Sequence, residues 1–161
     1  MPLTAGVLII GSLFWDLEND RPAWRKDRLD MAAAQNVAVP IRYGRVSESR
    51  GNSYTMVVSR TCPAGRAKLV GCSHAISTVE DLIAEAECLW RAEQPAANPN
   101  RIASGWGCVA LRCNPKRQIP QDFLQGWAAR VAREPGYERL TQALEGGLLQ
   151  EGCYRSTGLV R

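Results

Sequence analysis

Val7-Leu8-Ile9-Ile10-Gly11-Ser12-Leu13-Phe14-Trp15 is the stretch of this chain best suited to hold a small polar ligand. Four aliphatic residues in a row read as a short strand buried on both faces. Gly11 ends that run, and a residue without Cβ can turn the chain or bring its backbone close to a bound group. Ser12 adds a hydroxyl, and a strand broken at Gly-Ser can aim successive amide N–H groups outward as an anion-binding nest. The same pattern also fits a plain turn between a core strand and the aromatic plug Phe14-Trp15. Two glutamates, Glu87 and Glu93, stand late in a helical pattern further on, where a glutamate ordinarily faces solvent. Arg50, Tyr54 and Ser59 lie on or beside a hairpin pattern, with Arg42 and Tyr43 close by, and all could hold a polar substrate or serve as cross-strand pairs.

Other chemistries have less to build on. The six cysteines, Cys62, Cys72, Cys88, Cys108, Cys113 and Cys153, form no C-x-x-C pair, and His74 is the only histidine, so a zinc site lacks its usual ligands. Most of the cysteines sit in apolar patterns, where a free thiol behaves as a small hydrophobe, and they read as reduced residues of a cytoplasmic protein. A cysteine nucleophile would need His74 as its base, and a packed strand histidine is the simpler reading. The net charge is +4, but runs such as Arg25-Lys26-Asp27-Arg28-Leu29-Asp30 interleave both signs, as a solvated face does, and no nucleic-acid partner is expected. No apolar run approaches the roughly 20 residues of a membrane span, and no basic segment precedes the first apolar stretch, so neither a membrane nor a secretory signal is expected.

The elements that must position these residues can be read in order. A chain of 161 residues that is 45% hydrophobic fits one domain, residues 1–161, with a substantial core. Asp16 to Asp30 reads as an irregular polar excursion over the surface, a lid or flank with room for one helical turn. Asn36–Val46 and Ser53–Ser59 look like an antiparallel hairpin, with Pro40 arguing for an edge or a bulge. Ala67–Ile76 is a fourth strand, with Gly71 marking a bulge or a close approach. Thr78-Val79-Glu80-Asp81 has the form of a capping box, and Leu82, Ile83, Ala86, Leu89 and Trp90 recur at helical spacing, so a helix is expected over Val79–Glu93, stopped by Pro95. Gly105–Cys113 reads as a strand after an Asn98–Ser104 loop. Pro120 opens a second helix to about Arg133, with Phe123, Leu124, Trp127 and Val131 on one face. Tyr137–Leu144 adds helical turns and Leu148–Tyr154 a last strand. The sum is five or six largely antiparallel strands with two or three helices, an α+β domain.

Taken together, these pieces resemble the gamma-glutamyl cyclotransferase-like family. Its early strand ends in Tyr-Gly-Ser-Leu, and Ile10-Gly11-Ser12-Leu13 is similar, with Ile10 standing where the family has tyrosine and Phe14-Trp15 resembling the continuation of the glutathione-specific branch. The family's later pattern is a strand with glycine, then a helix in which a leucine precedes a key glutamate by four residues. Gly71 and Leu89-Trp90-Arg91-Ala92-Glu93 are similar to that arrangement.

The resemblance implies a small, largely antiparallel β-barrel with two or three flanking helices. It also implies an amide-cleaving, cyclising acyltransferase or lyase that needs no metal or organic cofactor. Its substrate would be a small gamma-glutamyl amine or peptide, which gives 5-oxoproline and a free amine by attack of its own α-amine. Ile10, Gly11, Ser12 and Leu13 would cradle the substrate, with Arg50 and Tyr54 beside them. Glu93 is the first choice of acid/base, and Glu87 fills the place if the alignment slips. A homodimer is one assembly open to such a chain. The alternative is a non-catalytic member of the same fold that binds a small anionic metabolite or a protein partner, and exposed tryptophans at Trp15 and Trp24 would favour the latter.

Overall fold

The computed structural model describes residues 3–47, 51–58, 62–94, 98, 100–104, 107–114 and 116–135. The helix and strand expected over Tyr137–Leu144 and Leu148–Tyr154, and the candidates Arg50 and Ser59, lie outside the described residues.

Strand β1 (Gly6–Ile9) is the aliphatic run of the sequence, and it ends at the Gly-Ser turn. A single 3₁₀ turn, Ser12–Phe14, follows, and then helix α1 (Arg21–Arg28). Strand β2 (Leu29–Ser47) is long; β3 (Ser53–Val58) and β4 (Ala64–Cys72) complete a sheet of order β1-β4-β2-β3, antiparallel at every pairing. Helix α2 (Val79–Glu93) comes next, then a two-residue ladder of β5 (Ala103–Ser104) and β6 (Gly107–Cys108), then α3 (Gln121–Val131). The α+β class is as expected. The barrel is not: among the described residues β1 and β3 are the two edges of an open sheet and do not pair with each other.

Pro40 explains part of that shape. The first half of β2 pairs with β4 as far as Pro40↔Ala64, and the second half pairs with β3 from Ile41↔Val58 onward. The proline therefore falls where the strand exchanges partners, a position at which its missing N–H breaks neither ladder. Of the edge or bulge that Pro40 suggested, the edge is not found, since the strand is interior to the sheet order. Register shifts lie between Asp30 and Gln35 and between Tyr43 and Arg45, both on β2, while nothing crowds Gly71.

The second correction is larger. Asp16–Asp30 is a surface excursion only at Leu17–Asp20, because the full helix α1 occupies its second half and buries Arg21, Trp24 and Arg25. Pro22 sits in the first helical turn, where a missing N–H costs nothing. Trp24 packs with Ile9, Leu29, Val70 and Ala92 in the main core, beneath Val7, Leu13, Phe14 and Leu89. A second core, Ala86, Ile102 and Trp127, joins α2 to α3 with help from Leu82, Ile83, Val109, Leu111 and Val131. Val109 and Leu111 were expected on a strand over Gly105–Cys113. They pack here as irregular chain, Val109 N–H donating to the Ile102 carbonyl at 2.8 Å.

Helix α2 is the shared wall of both cores. Its start is closed reciprocally: the Asp81 amide donates to Thr78 Oγ1 at 3.1 Å, and the Thr78 and Ser77 amides donate to the Asp81 carboxylate at 2.9 and 2.8 Å. Those two amide bonds hold the Asp81 carboxyl below the usual range, since they favour its charged form. Helices α1 and α2 run antiparallel, laced by Arg28 to Glu85 at one end and Arg21 to Glu93 at the other. Two turns separate the members on each helix, so both pairs can form at once.

Candidate functional site

Gly11 takes φ +141°, a backbone conformation that side chains with a Cβ resist, and this turns the chain out of β1. The 3₁₀ turn then closes on Ser12, whose carbonyl accepts from Trp15 N–H at 2.9 Å and Asp16 N–H at 2.7 Å. Arg25 holds the other side of this turn. It is buried, and it donates to the Leu13 carbonyl and to the Asp16 carbonyl, each at 2.6 Å. Hydrogen bonds from a charged donor are about twice as strong as neutral ones, so this residue pins both ends of the turn. Lys68 on β4 lies 5.1 Å above the Phe14 ring, a cation–π contact, and Phe14 and Trp15 meet edge to face.

A line of polar groups leads from the turn to α2. Ser12 Oγ donates to Asp16 Oδ2 at 3.3 Å; Arg21 Nη1 bonds the same carboxylate oxygen; Arg21 Nη2 reaches Glu93 Oε2 at 3.4 Å. Arg21 is only 5% exposed, so its charge needs both carboxylates. Glu93 is the last residue of α2, where the negative end of the helix dipole disfavours a carboxylate. The guanidinium opposite offsets that, and a little under a third of the Glu93 side chain stays open to solvent.

Glu87 goes elsewhere. Arg130 of α3 binds it at 3.2 Å and also binds Glu134 and the Asn100 carbonyl. Glu134 is buried and accepts from the Ile102 amide at 3.1 Å, so this cluster ties α3 to the segment before β5. Glu93 is thus connected to the Gly-Ser turn, and Glu87 to the α2–α3 joint.

The other candidates divide. Gly11, Ser12 and Leu13 form the turn, and the Leu13 side chain joins the core, leaving its backbone to the turn. Ile10 is half-buried between β1 and Gly11. Tyr54 stands on β3 and is two-thirds exposed, while Tyr43 is exposed on β2. Trp15 is exposed and Trp24 buried, so they do not form one surface patch.

Asp16, Arg21 and Arg25 were missed in the sequence. The signal was present: Arg21, Trp24, Arg25 and Arg28 recur at helical spacing, but a stripe made of arginine does not register as apolar.

The chain matches no family model, no curated protein and no solved structure. No group of metal-binding side chains occurs among the described residues, and no described helix is long and apolar enough to cross a membrane. A cleft of about 280 Å³ lies away from the turn, beside Arg28, His74, Ile76 and Glu85. Arg28 and Glu85 neutralise each other there, and the Glu85 hydrogen bond holds the guanidinium above its ordinary pKa. Cys72 is nearby; burial, reinforced by the Glu85 carboxylate and partly offset by Arg28, pushes its thiol up to about 11. A thiol so disposed is a poor nucleophile near neutrality. Cys72 and Cys88 are free thiols.

Proposed function

We propose that this chain is a gamma-glutamyl cyclotransferase-like enzyme that releases 5-oxoproline and an amine from a small gamma-glutamyl amine or peptide. One observation carries the reading: the carboxylate at the end of α2, Glu93, is linked through Arg21 and Asp16 to Ser12 on the turn after β1. That joins the two segments on which the resemblance to the family rests.

The chemistry asks little more of the protein. The nucleophile and the electrophile share one molecule, so orientation replaces a protein nucleophile. The substrate's α-amine nitrogen attacks its own γ-carbonyl carbon, forming the C–N bond of the lactam. The tetrahedral intermediate collapses with cleavage of the bond to the leaving nitrogen. Glu93 takes the proton from the attacking nitrogen and returns it to the leaving one. Backbone amides of Gly11, Ser12 and Leu13 face the substrate's α-carboxylate or the developing oxyanion. Arg25 keeps their geometry fixed by holding the carbonyls of the same turn.

A second reading has its own support. Arg25, a buried cation that donates to two carbonyls of the turn, favours an anion there, and Ile10 lacks the hydroxyl that the family carries, so a non-catalytic member of the fold would bind a small anionic metabolite here. Incubation with gamma-glutamyl amines, gamma-glutamyl dipeptides and glutathione, with 5-oxoproline followed by mass spectrometry, separates the two. Lactam formation above the uncatalysed rate supports the enzyme; a folded protein that binds 5-oxoproline or glutamate without turnover supports the binder.

A further inference from the structure

We propose that the end of the β2–β3 hairpin is an apolar subsite beside the Gly-Ser turn, and that it receives an aromatic or bulky alkyl leaving amine. This inference rests on the enzymatic reading above.

The register of the hairpin makes the surface. Tyr43 lies directly opposite Met56 and Val46 opposite Tyr54, so all four side chains emerge from one face of the ladder. Tyr43 is 67% and Tyr54 66% exposed, and Val46 is also exposed. The same face reaches the turn: the Met56 methyl lies 3.7 Å from the position a Cβ on Gly11 would take. Among the described residues the exposed large apolar side chains are Trp15, Leu17, Tyr43, Val46, Tyr54 and Leu69. Two of these follow the turn and three share the hairpin end, so exposed apolar surface gathers around the candidate site.

A polar floor with an apolar rim is the pattern of a small-molecule site, in which a few polar groups orient the ligand and apolar side chains bury the remainder. In this proposal Ser12, Asp16, Arg21 and Glu93 serve as the floor, and the rim is Met56, which meets the turn at Gly11, continued by the two tyrosines that share its face of the ladder. The glutamyl half of the substrate carries the charges and belongs on the floor. The leaving amine belongs against the rim, where Tyr faces offer a large contact area at low entropic cost. The four side chains paired on that face, Tyr43, Met56, Val46 and Tyr54, carry no charge, which suits a neutral apolar group. Two tyrosines and their neighbours span one ring or alkyl chain, well short of the roughly 800 Å² per partner of a stable protein interface.

The test compares gamma-glutamyl-phenethylamine with gamma-glutamyl-methylamine on the full chain, on Tyr43→Ala and Tyr54→Ala, and on the Tyr→Phe variants, with 5-oxoproline as readout. Wild type should favour the aromatic amide by about tenfold or more in kcat/KM. Each alanine variant should shrink that ratio through KM, and each phenylalanine variant should restore it. Equal turnover of both amides, or a ratio untouched by the alanine variants, overturns the subsite while leaving the cyclotransferase reading intact. If neither amide is turned over, the enzymatic reading fails, and binding of the neutral N-acetylphenethylamine followed by saturation-transfer NMR decides the subsite alone. Binding that disappears in the alanine variants keeps it, and no binding to wild type overturns it.

Discussion

Asp16→Ala is the perturbation that bears hardest on how the turn and α2 are joined. Arg21 is 5% exposed and has two carboxylate partners, Asp16 in close contact and Glu93 at 3.4 Å. Removing one partner of a buried pair leaves an uncompensated charge, at a cost of about 3–5 kcal/mol when the loss is complete. Glu93 remains as a weaker partner and the Asp16 side chain is 16% exposed, which brings the expected loss to the lower end, about 3 kcal/mol. For a chain of this length that corresponds to about 6–12 °C in Tm. The decisive comparison is a double-mutant cycle with Arg21→Met, which removes the orphaned charge and keeps most of the volume. The double variant should be more stable than the sum of the single losses by about 1.5 kcal/mol or more. Urea unfolding followed by tryptophan fluorescence reads all four proteins. An Asp16→Ala protein within about 0.5 kcal/mol of wild type, or a strictly additive cycle, would refute the buried tether.

Gly11→Ala should destabilise by about 1–3 kcal/mol through backbone strain at φ +141°, since its Cβ would make only ordinary contact with Met56; urea unfolding gives the loss, and a neutral result would mean the turn has another conformation. Gly126→Ala, in the middle of α3, should destabilise by about 1–3 kcal/mol instead of gaining the usual helix propensity, because its Cβ would sit 2.8 Å from the stiff Val79 side chain of α2. A stabilised Gly126→Ala protein would show that α2 and α3 are not so closely packed. Cys72, with its thiol pushed up to about 11, should carry about a hundredfold less thiolate at pH 8 than an ordinary cysteine, and peptide-mapped alkylation should find it correspondingly slow. Because the folded state keeps that proton longer than the unfolded one, the contribution of Cys72 to stability should be full below about pH 9 and fall as pH rises towards 11, a decline that Cys72→Ala should remove.

Helix α2 was legible to the residue because every local cue agreed: a reciprocal cap at Thr78 and Asp81, an apolar stripe, and a proline after Glu93. Helix α1 was not, because its buried residues are Arg21, Trp24 and Arg25, and the periodicity of arginine reads as solvent. The pairing order of the sheet was legible only in part. The β2–β3 hairpin is a local contact, whereas the change of partner at Pro40 and the open edges at β1 and β3 are settled by packing over long sequence separations. Gly11, Ser12 and Leu13 stood out by composition, and Glu93 by spacing and resemblance. Glu87 could have been separated from Glu93 by geometry, since six residues place them about 120° apart around the helix axis, one towards α1 and the other towards α3. The partners that connect Glu93 to the turn were hidden for the same reason as α1 itself.

The central claim is that Glu93 does the proton transfer at the Gly-Ser turn. The most direct measurement is 5-oxoproline formation by wild type, Glu93→Gln and Glu87→Gln side by side, with each variant's fold checked by circular dichroism. Glu93→Gln should lose about 10²–10⁴-fold in kcat, the usual contribution of a positioned acid/base, while Glu87→Gln, altered only at the α2–α3 joint, keeps most of the turnover. Full activity in a folded Glu93→Gln protein would contradict the account.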